Sequence, residues 1–145
     1  MFELGTDGPS VIMVGVDGSV TSLRAGAYAV GMARRQHSKL VVVHVSVPAR
    51  FANMAPQSMA LARQAAAEIS EDLRRQVADQ AAARGVFATF IAVSGDPFTE
   101  LVRVADQVRA DGIVVGASTQ LGHRFVGSMA VRLVRAGRWP VTVVP

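Results

Sequence analysis

The sequence predicts an α/β domain built on one open, five-stranded parallel β-sheet with helices on both faces. Five short apolar segments alternate with four segments of helical periodicity, which gives the order β-α-β-α-β-α-β-α-β. The apolar segments are continuously hydrophobic, as expected for strands that are buried on both faces of a parallel sheet. Right-handed crossovers then place the helices against that sheet.

The first strand and helix are separated by a short turn. Residues 11–16 form an apolar run, and Asp17-Gly18-Ser19 closes it with residues typical of turns. Ser19 or Ser22 can cap the following helix, which extends to Arg35. The apolar residues that recur at helical spacing in this segment are Leu23, Ala27, Val30 and Ala33.

The second strand and second helix differ greatly in length. Residues 40–47 form a β-branched run that predicts a strand, and residues 48–56 lack periodicity and predict a loop. The alanine-rich segment 58–84 predicts a long helix, with Gly85 as its stop signal.

The rest of the chain repeats the alternation of strand and helix. Residues 86–93 predict a third strand, and Asp96-Pro97 is a helix start because a carboxylate N-cap precedes proline at the first helical position. The elements that follow this helix are a strand over 112–116, a helix over 126–136 and a strand over 141–144.

Length and composition predict one intracellular domain. A chain of 145 residues fits a single domain, which we place at 11–145 after an N-terminal tail over 1–10. The absence of cysteine excludes disulfides, iron–sulfur clusters and thiol catalysis. Neither a signal peptide nor an apolar run of about 20 residues is evident, so we expect a cytoplasmic protein without a membrane partner.

The positive charge of the chain does not indicate a nucleic-acid partner. The formal net charge is +4 and almost all of the basic residues are arginines, with Lys39 as the only lysine. The arginines are spread over every predicted helix and are interleaved with acidic residues such as Glu68, Glu71, Asp72 and Asp79, and no stripe of aromatic and basic residues appears. We therefore expect solvated helix faces and no nucleic-acid binding.

Common enzyme signatures are missing from the sequence. Lys39 precedes a strand and is followed by Leu40, so it does not belong to a phosphate-binding P-loop. No G-x-G-x-x-G or G-x-S-x-G motif follows a strand. The three histidines, His37, His44 and His123, are far apart and lack metal-ligand spacing. We expect no catalytic residue and no metal site.

Two turns that follow strands are candidates for a ligand site. Residues 15–19 follow the first strand, and residues 116–122 follow the fourth and lead to Gly127-Ser128 at the start of the last helix. Glycines and small hydroxyl residues let backbone N–H groups approach an anion, and a helix N-terminus adds its positive dipole. The alternative is that the glycines only form turns and that Asp17 only caps a helix.

Two histidines and one arginine near the candidate site are interpreted without a role in ligand binding. His44 lies within a predicted strand, so we interpret it as a core or rim histidine and not as a ligand. His123 and Arg124 lie in the candidate phosphate loop, where solvated loop cations are the simpler interpretation.

Over essentially its whole length the chain resembles the universal stress protein family. The resemblance rests on a series of segments in a fixed order and on no single motif. These segments are Val14-Gly15-Val16-Asp17-Gly18-Ser19, Val43-His44-Val45, Gly95-Asp96-Pro97, Ala110-Asp111-Gly112-Ile113-Val114-Val115-Gly116, Gly127-Ser128 and Pro140-Val141-Thr142-Val143-Val144.

The resemblance implies a strand order, a dimer and a nucleotide site. The sheet has the order 3-2-1-4-5 of a flavodoxin-like or Rossmann-like fold, of the adenine nucleotide alpha hydrolase-like type. The homodimer forms through the last strand, with Val141, Thr142, Val143 and Val144 at its interface, and an open apolar edge strand favours such pairing. Some family members bind ATP, with or without Mg, or cyclic AMP (cAMP), whereas others bind no nucleotide.

By the same resemblance, Asp17 contacts the ribose, whereas Leu40 and Val115 line the adenine pocket. Gly116, Gly127 and Ser128 hold the phosphates, and Val16 and Met129 complete the nucleotide contacts.

The family motif for nucleotide binders, G-x2-G-x9-G-[ST], is only partly present. Gly116 and Gly127-Ser128 match its ends, but Thr119 stands at the position of the second glycine and Gly122 comes too late to replace it. Ten residues separate Gly116 from Gly127, two fewer than the motif requires. A Cβ at residue 119 and a shorter loop both change how backbone N–H groups meet phosphates.

Three functions therefore remain open. The first is a dimeric stress-response or signalling module that binds an adenine nucleotide between the ends of strands 1 and 4. The second is a nucleotide-free interaction module of the same family. The third is a weak ATP hydrolase, which the sequence favours least because only Asp17 is placed to act as a base.

Overall fold

A computed structural model describes residues 8–47, 55–118 and 127–145. Within these ranges, strands and helices alternate in the order that the sequence predicts. The elements are β1 (Val11–Val16), α1 (Val20–Gln36), β2 (Lys39–Ser46), α2 (Pro56–Arg84), β3 (Ala88–Ser94), α3 (Pro97–Val108), β4 (Gly112–Gly116), α4 (Ser128–Ala136) and β5 (Val141–Val144).

The five strands form one parallel sheet in the order β3-β2-β1-β4-β5. The predicted fold class and strand order are therefore confirmed. The pairing of β1 with β4 covers only Ile12–Val14 and Gly112–Val114, so the last two residues of each strand are not paired with each other. The sheet is thus open at its carboxyl edge between β1 and β4, where the strand order reverses. Ligands of open α/β sheets bind at such a point.

Helices cover both faces of the sheet, as predicted. Alternate residues of the central strands point to opposite faces, so Ile12 and Val14 pack with α1 and α2, whereas Met13 and Val41 pack with α3 and α4. The outer strands differ from the predicted continuously buried runs. Exposed and partly buried residues mix along β3, and all four residues of β5 are half-buried. Each of these two strands has only one strand neighbour among the described residues.

The helix ends follow the predicted capping signals. Ser19 is the N-cap of α1 and accepts a hydrogen bond from the Ser22 N–H at 3.2 Å. Asp96 is the N-cap of α3 and accepts one from the Thr99 N–H at 2.9 Å. Gly85 ends α2 with a φ of 66°, in the left-handed region that glycine adopts without steric cost.

Three predicted boundaries differ from those of the structure, and local hydrogen bonding and proline explain two of the differences. The third strand begins at Ala88 instead of residue 86, because the Val86 N–H donates to Ala81 O and closes the end of α2. The second helix begins two residues earlier than predicted, at Pro56, since proline suits the first helical position. Gly127 is the N-cap of α4, so that helix begins after it. Residue 126 and most of the predicted 48–56 loop lie outside the described residues.

The face that α1 buries agrees with the prediction only in part, because Val30 and Ala33 are buried whereas two other predicted residues are not. Leu23 is 40% exposed and Ala27 is also exposed. Small residues lie against the sheet in their place, because α1 packs closely against β1 and the end of β4. The buried residues of α1 are Thr21, Ser22, Ala25, Ala29, Val30 and Ala33.

The long helix α2 extends past the sheet. Its 29 residues span about 44 Å at 1.5 Å per residue, whereas the 8 residues of β2 span about 26 Å. Only Leu73 and Ala81 of α2 are buried. The N-terminal part of α2 therefore lies beyond the carboxyl ends of the strands. None of the described helices, including α2, combines the length and apolarity that crossing a membrane requires.

Candidate functional site

The turn after β1, residues 116–118 at the end of β4 and the N-terminus of α4 line one cavity of about 690 Å³. The first predicted turn and the described part of the second therefore meet at the open carboxyl edge of the sheet. Of the eight residues predicted to contact a nucleotide, seven line this cavity. They are Val16, Asp17, Val115, Gly116, Gly127, Ser128 and Met129.

Leu40 does not line the cavity, which corrects the sequence-based placement. It is 0% exposed and pairs with Ile12 at the amino end of the sheet, whereas the cavity lies at the carboxyl end. The carboxyl half of β2, residues 43–46, and Val47 directly after it line the cavity instead. Strand direction was the signal that could have found these residues, since parallel strands present only their last residues at that edge.

Asp17 lies in the turn between β1 and α1, where its own chain orders it. Its Oδ1 accepts a hydrogen bond from the Ser19 N–H at 2.9 Å, and its N–H donates to Ser22 Oγ at 3.2 Å. Partial burial raises the pKa of Asp17, but hydrogen bonds from the Ser19 side chain and backbone outweigh this, so the pKa lies below its usual 3.8. Asp17 is an anion at neutral pH, and Ser19, not Asp17, caps the helix.

Gly116 is required by the packing of α1 against β4. A Cβ at this position would lie 2.6 Å from the backbone carbon of Thr21 and 2.7 Å from the Ser22 nitrogen. The same contact is fastened by the Thr21 hydroxyl, which donates to Ala117 O at 2.6 Å. The fold therefore needs glycine here whether or not a phosphate approaches the cavity.

The N-terminus of α4 forms the opposite side of the cavity. Gly127 is its N-cap and no side chain caps the helix. Ser128, Met129 and Ala130, the first residues of the helix, line the cavity. The first N–H groups of a helix have no partners within the helix, and they carry its positive dipole end. This arrangement suits an anion or a polar oxygen.

His44 contributes a buried imidazole to the cavity wall. It is 6% exposed, pairs with Val16 across the sheet, and its Nδ1 lies 2.7 Å from Ser70 Oγ of α2 in a hydrogen bond. Burial lowers the pKa of His44, and the opposing effect of the Asp17 carboxylate does not compensate. Two other α2 residues, Ala66 and Ile69, also line the cavity, and the sequence analysis missed both.

The loop between Ser118 and Gly127 lies outside the described residues. The predictions for Thr119, Gly122, His123 and Arg124 fall there and stay predictions. In the part of the chain that the structure describes, no group of three His, Cys, Asp or Glu residues is arranged to hold a metal ion.

The match to a family model decides the relationship of this chain to known proteins. The model of the universal stress protein family matches residues 10–145. The chain belongs to the universal stress protein family. It is 29% identical over 136 residues to a universal stress protein of Methanocaldococcus jannaschii. The aligned region covers 92% of this chain and 80% of that protein.

Solved structures of universal stress proteins resemble this family member over nearly its full length. The universal stress protein UspA from Lactobacillus plantarum has a TM-score of 0.83 at 26% identity and covers 94% of this chain and 97% of its own. A universal stress protein in complex with cAMP has a TM-score of 0.69 at 29% identity and covers 94% of this chain and 96% of its own.

We predict that Gly116→Ala destabilises this universal stress protein by about 1–3 kcal/mol, because the added Cβ overlaps the backbone of the first turn of α1. Urea denaturation measures the free energy of unfolding. The matched control is Gly31→Ala, where a Cβ meets nothing within 4 Å and an alanine in a helix interior is stabilising. Equal stability of Gly116→Ala and the wild type would contradict the packing explanation.

We predict that His44 makes stability depend on pH. Its pKa in the folded protein lies below the value of 6.5 for an unperturbed histidine, so the unfolded chain takes up more protons as the pH falls through 6.5. The free energy of unfolding therefore decreases below that pH. Urea denaturation at pH 7.5 and about pH 5.5 should show a smaller decrease in His44→Gln than in the wild type. Equal decreases would show that His44 does not carry this effect.

Proposed function

We propose that this domain is a stress-response or signalling module that binds an adenine nucleotide, ATP or cAMP, at the carboxyl ends of β1 and β4. The observation that carries the proposal is the cavity of about 690 Å³, because an anionic turn, apolar strand ends and a helix N-terminus all line it. A cavity of this size suits a small ligand. The related structure solved in complex with cAMP, at 29% identity, supports an adenine nucleotide as that ligand.

The proposed nucleotide lies across the cavity from β2 to α4. The Asp17 carboxylate accepts hydrogen bonds from the ribose hydroxyls. The apolar residues at the carboxyl end of β2, together with Val115 of β4, contact the adenine. Gly127, Ser128 and the N-terminus of α4 bind the phosphates, with Val16 and Met129 packing against the ligand. The chemistry of each group supports its role, since a carboxylate accepts hydroxyl protons and a helix N-terminus attracts anions.

A second candidate is a nucleotide-free interaction module of the same family. Two observations favour it. The loop between Gly116 and Gly127 is two residues shorter than in the nucleotide-binding motif, with Thr119 in place of a glycine. The packing of α1 explains Gly116 without any ligand. Part of the motif therefore has a structural cause of its own.

Binding, and not catalysis, is the proposed activity, with weak ATP hydrolysis as its upper limit. Transfer of a phosphoryl group needs cationic groups or a metal to stabilise the charge that develops. Lys39, the only lysine of the chain, pairs with Val11 at the amino end of the sheet, away from the cavity. Mg bound together with ATP would supply such charge.

We also propose a cytoplasmic homodimer that forms through β5. The four half-buried residues of β5 are mostly apolar, and no strand among the described residues covers its outer edge. An uncovered apolar edge favours pairing with a second copy. A chain without cysteine suits a reducing compartment, and neither nucleic acid nor a membrane is a proposed partner.

We predict that ATP, ADP, AMP or cAMP at millimolar concentration raises the melting temperature, and that Asp17→Ala weakens this effect. Ligand at about 100 times its dissociation constant adds about 2.7 kcal/mol of stability. Loss of hydrogen bonds to a charged group should weaken binding about 10- to 100-fold, as isothermal titration calorimetry measures. Asp79→Ala, which removes an exposed carboxylate of α2, is the control. No shift with any of the four nucleotides favours the nucleotide-free module.

We predict that Val143→Pro converts the dimer to a monomer. The Ile113 N–H donates to Pro140 O and the Ala117 N–H donates to Val144 O, so residues 140, 142 and 144 direct their backbone groups toward β4. Val141 and Val143 then direct theirs to the open edge. Proline at 143 removes one outward donor, whereas Val143→Thr keeps it and should stay dimeric. Light scattering measures the mass, and a dimeric Val143→Pro would place the interface elsewhere.

A further inference from the structure

His44 has one nitrogen fixed by the fold. Leu40 and Val42 pack on the face of the sheet that α1 and α2 cover, and His44 follows them in the same alternation along β2. Its Nδ1 lies 2.7 Å from Ser70 Oγ of α2. This hydrogen bond fixes the orientation of the ring, since an imidazole held at one nitrogen and packed under a helix cannot turn freely.

The second nitrogen of His44 is open to solvent. Nε2 makes no hydrogen bond with the described residues. Among those residues, no side-chain nitrogen or oxygen that is closed to solvent lacks a hydrogen-bond partner. Nε2 is therefore open to solvent, and His44, although only 6% exposed, is one of the residues that line the cavity.

The place of β2 in the sheet indicates which part of a ligand meets His44. Neighbouring strands lie about 4.8 Å apart, so β2 is roughly 10 Å from β4, with β1 between them. Gly127 and Ser128 lie on the β4 side of the cavity, and Asp17 follows β1. A nucleotide with its phosphates at α4 and its ribose at Asp17 thus extends its base toward β2.

We infer that His44 is a specificity-determining residue whose Nε2 forms a hydrogen bond with the nucleoside part of the bound nucleotide, and that Ser70 is the positioning residue that holds its ring. The inference rests on the proposed nucleotide-binding function. It adds the side chain that recognises the uncharged nucleoside end of the ligand. Ala66 and Ile69 of α2 form the apolar wall beside this contact.

The electrostatics of the site support an uncharged partner for His44. Burial lowers the pKa of the imidazole, so it is neutral at pH 7 and can donate or accept one hydrogen bond at Nε2. Asp17, in the turn after β1, is the charged group that acts on it, and Ser70, the α2 residue in contact with it, is uncharged. A neutral imidazole beside a carboxylate suits a base or a sugar hydroxyl better than a phosphate.

Calorimetric titration of the full chain with adenosine, AMP, ADP, ATP and cAMP tests the inference. His44→Phe keeps a planar ring and removes both nitrogens, so we expect about tenfold weaker binding of every ligand, because all share the nucleoside. His44→Gln keeps a hydrogen-bonding group and should lose less. Ser70→Ala should lie between His44→Phe and the wild type, whereas Ser58→Ala, at an exposed serine of the same helix, should bind as the wild type does.

Nitrogen-15 NMR of the wild-type histidines supplies a measurement of ligand contact in the wild type itself. We expect the His44 Nε2 signal, identified by its loss in His44→Gln, to move when AMP or adenosine is added. A stationary signal together with unchanged affinity in His44→Phe overturns the inference while nucleotide binding by the wild type stands. A loss that grows with the number of phosphates also overturns it. If the wild type binds none of the five ligands, the proposed function and the inference both fail.

Discussion

The close contact between the first turn of α1 and the end of β4 is the constraint on which the geometry of the cavity depends. Gly116 allows the backbone at Thr21 to lie where a Cβ would overlap it, and the Thr21 hydroxyl fastens the contact to Ala117 O. This contact fixes the turn that carries Asp17 relative to the neighbouring strand. Interiors pack too densely for the two elements to separate without loss of other contacts, so the position of Asp17 follows from the core.

The cavity itself results from the strand order. The pairing of β1 and β4 ends at Val14 and Val114, and the last residues of both strands then line an opening. Its lining combines apolar side chains with hydroxyl groups, a carboxylate and a helix N-terminus. Polar groups in an open cavity keep contact with water and cost little to maintain, while apolar side chains favour a flat, weakly polar ligand part. The cavity can therefore contact both the polar and the apolar parts of a ligand.

The glycines of a motif have more than one physical cause in this family member. The fold requires Gly116, because its neighbour is the backbone of α1. Gly127 is the N-cap of α4, and a Cβ there would lie 3.2 Å from Ser118 Cβ, a tighter contact than usual but with a side chain and not with backbone. A glycine that the packing requires is weak evidence for a phosphate-binding site. A glycine that the packing does not require is stronger evidence for one. Asp17 and His44 are thus better indicators of a ligand than Gly116.

The sequence by itself determined the order of the elements, the fold class and the signals at helix ends such as Ser19, Gly85 and Asp96, because these depend on local hydrogen bonds and on hydrophobic periodicity. It also selected the two turns that meet at the cavity. Only the tertiary structure decided that Leu40 lies at the wrong end of β2, that small residues of α1 face the sheet, and that Ser70 of α2 holds His44. Those facts depend on strand direction and on contacts between residues far apart in the chain, which no local pattern records.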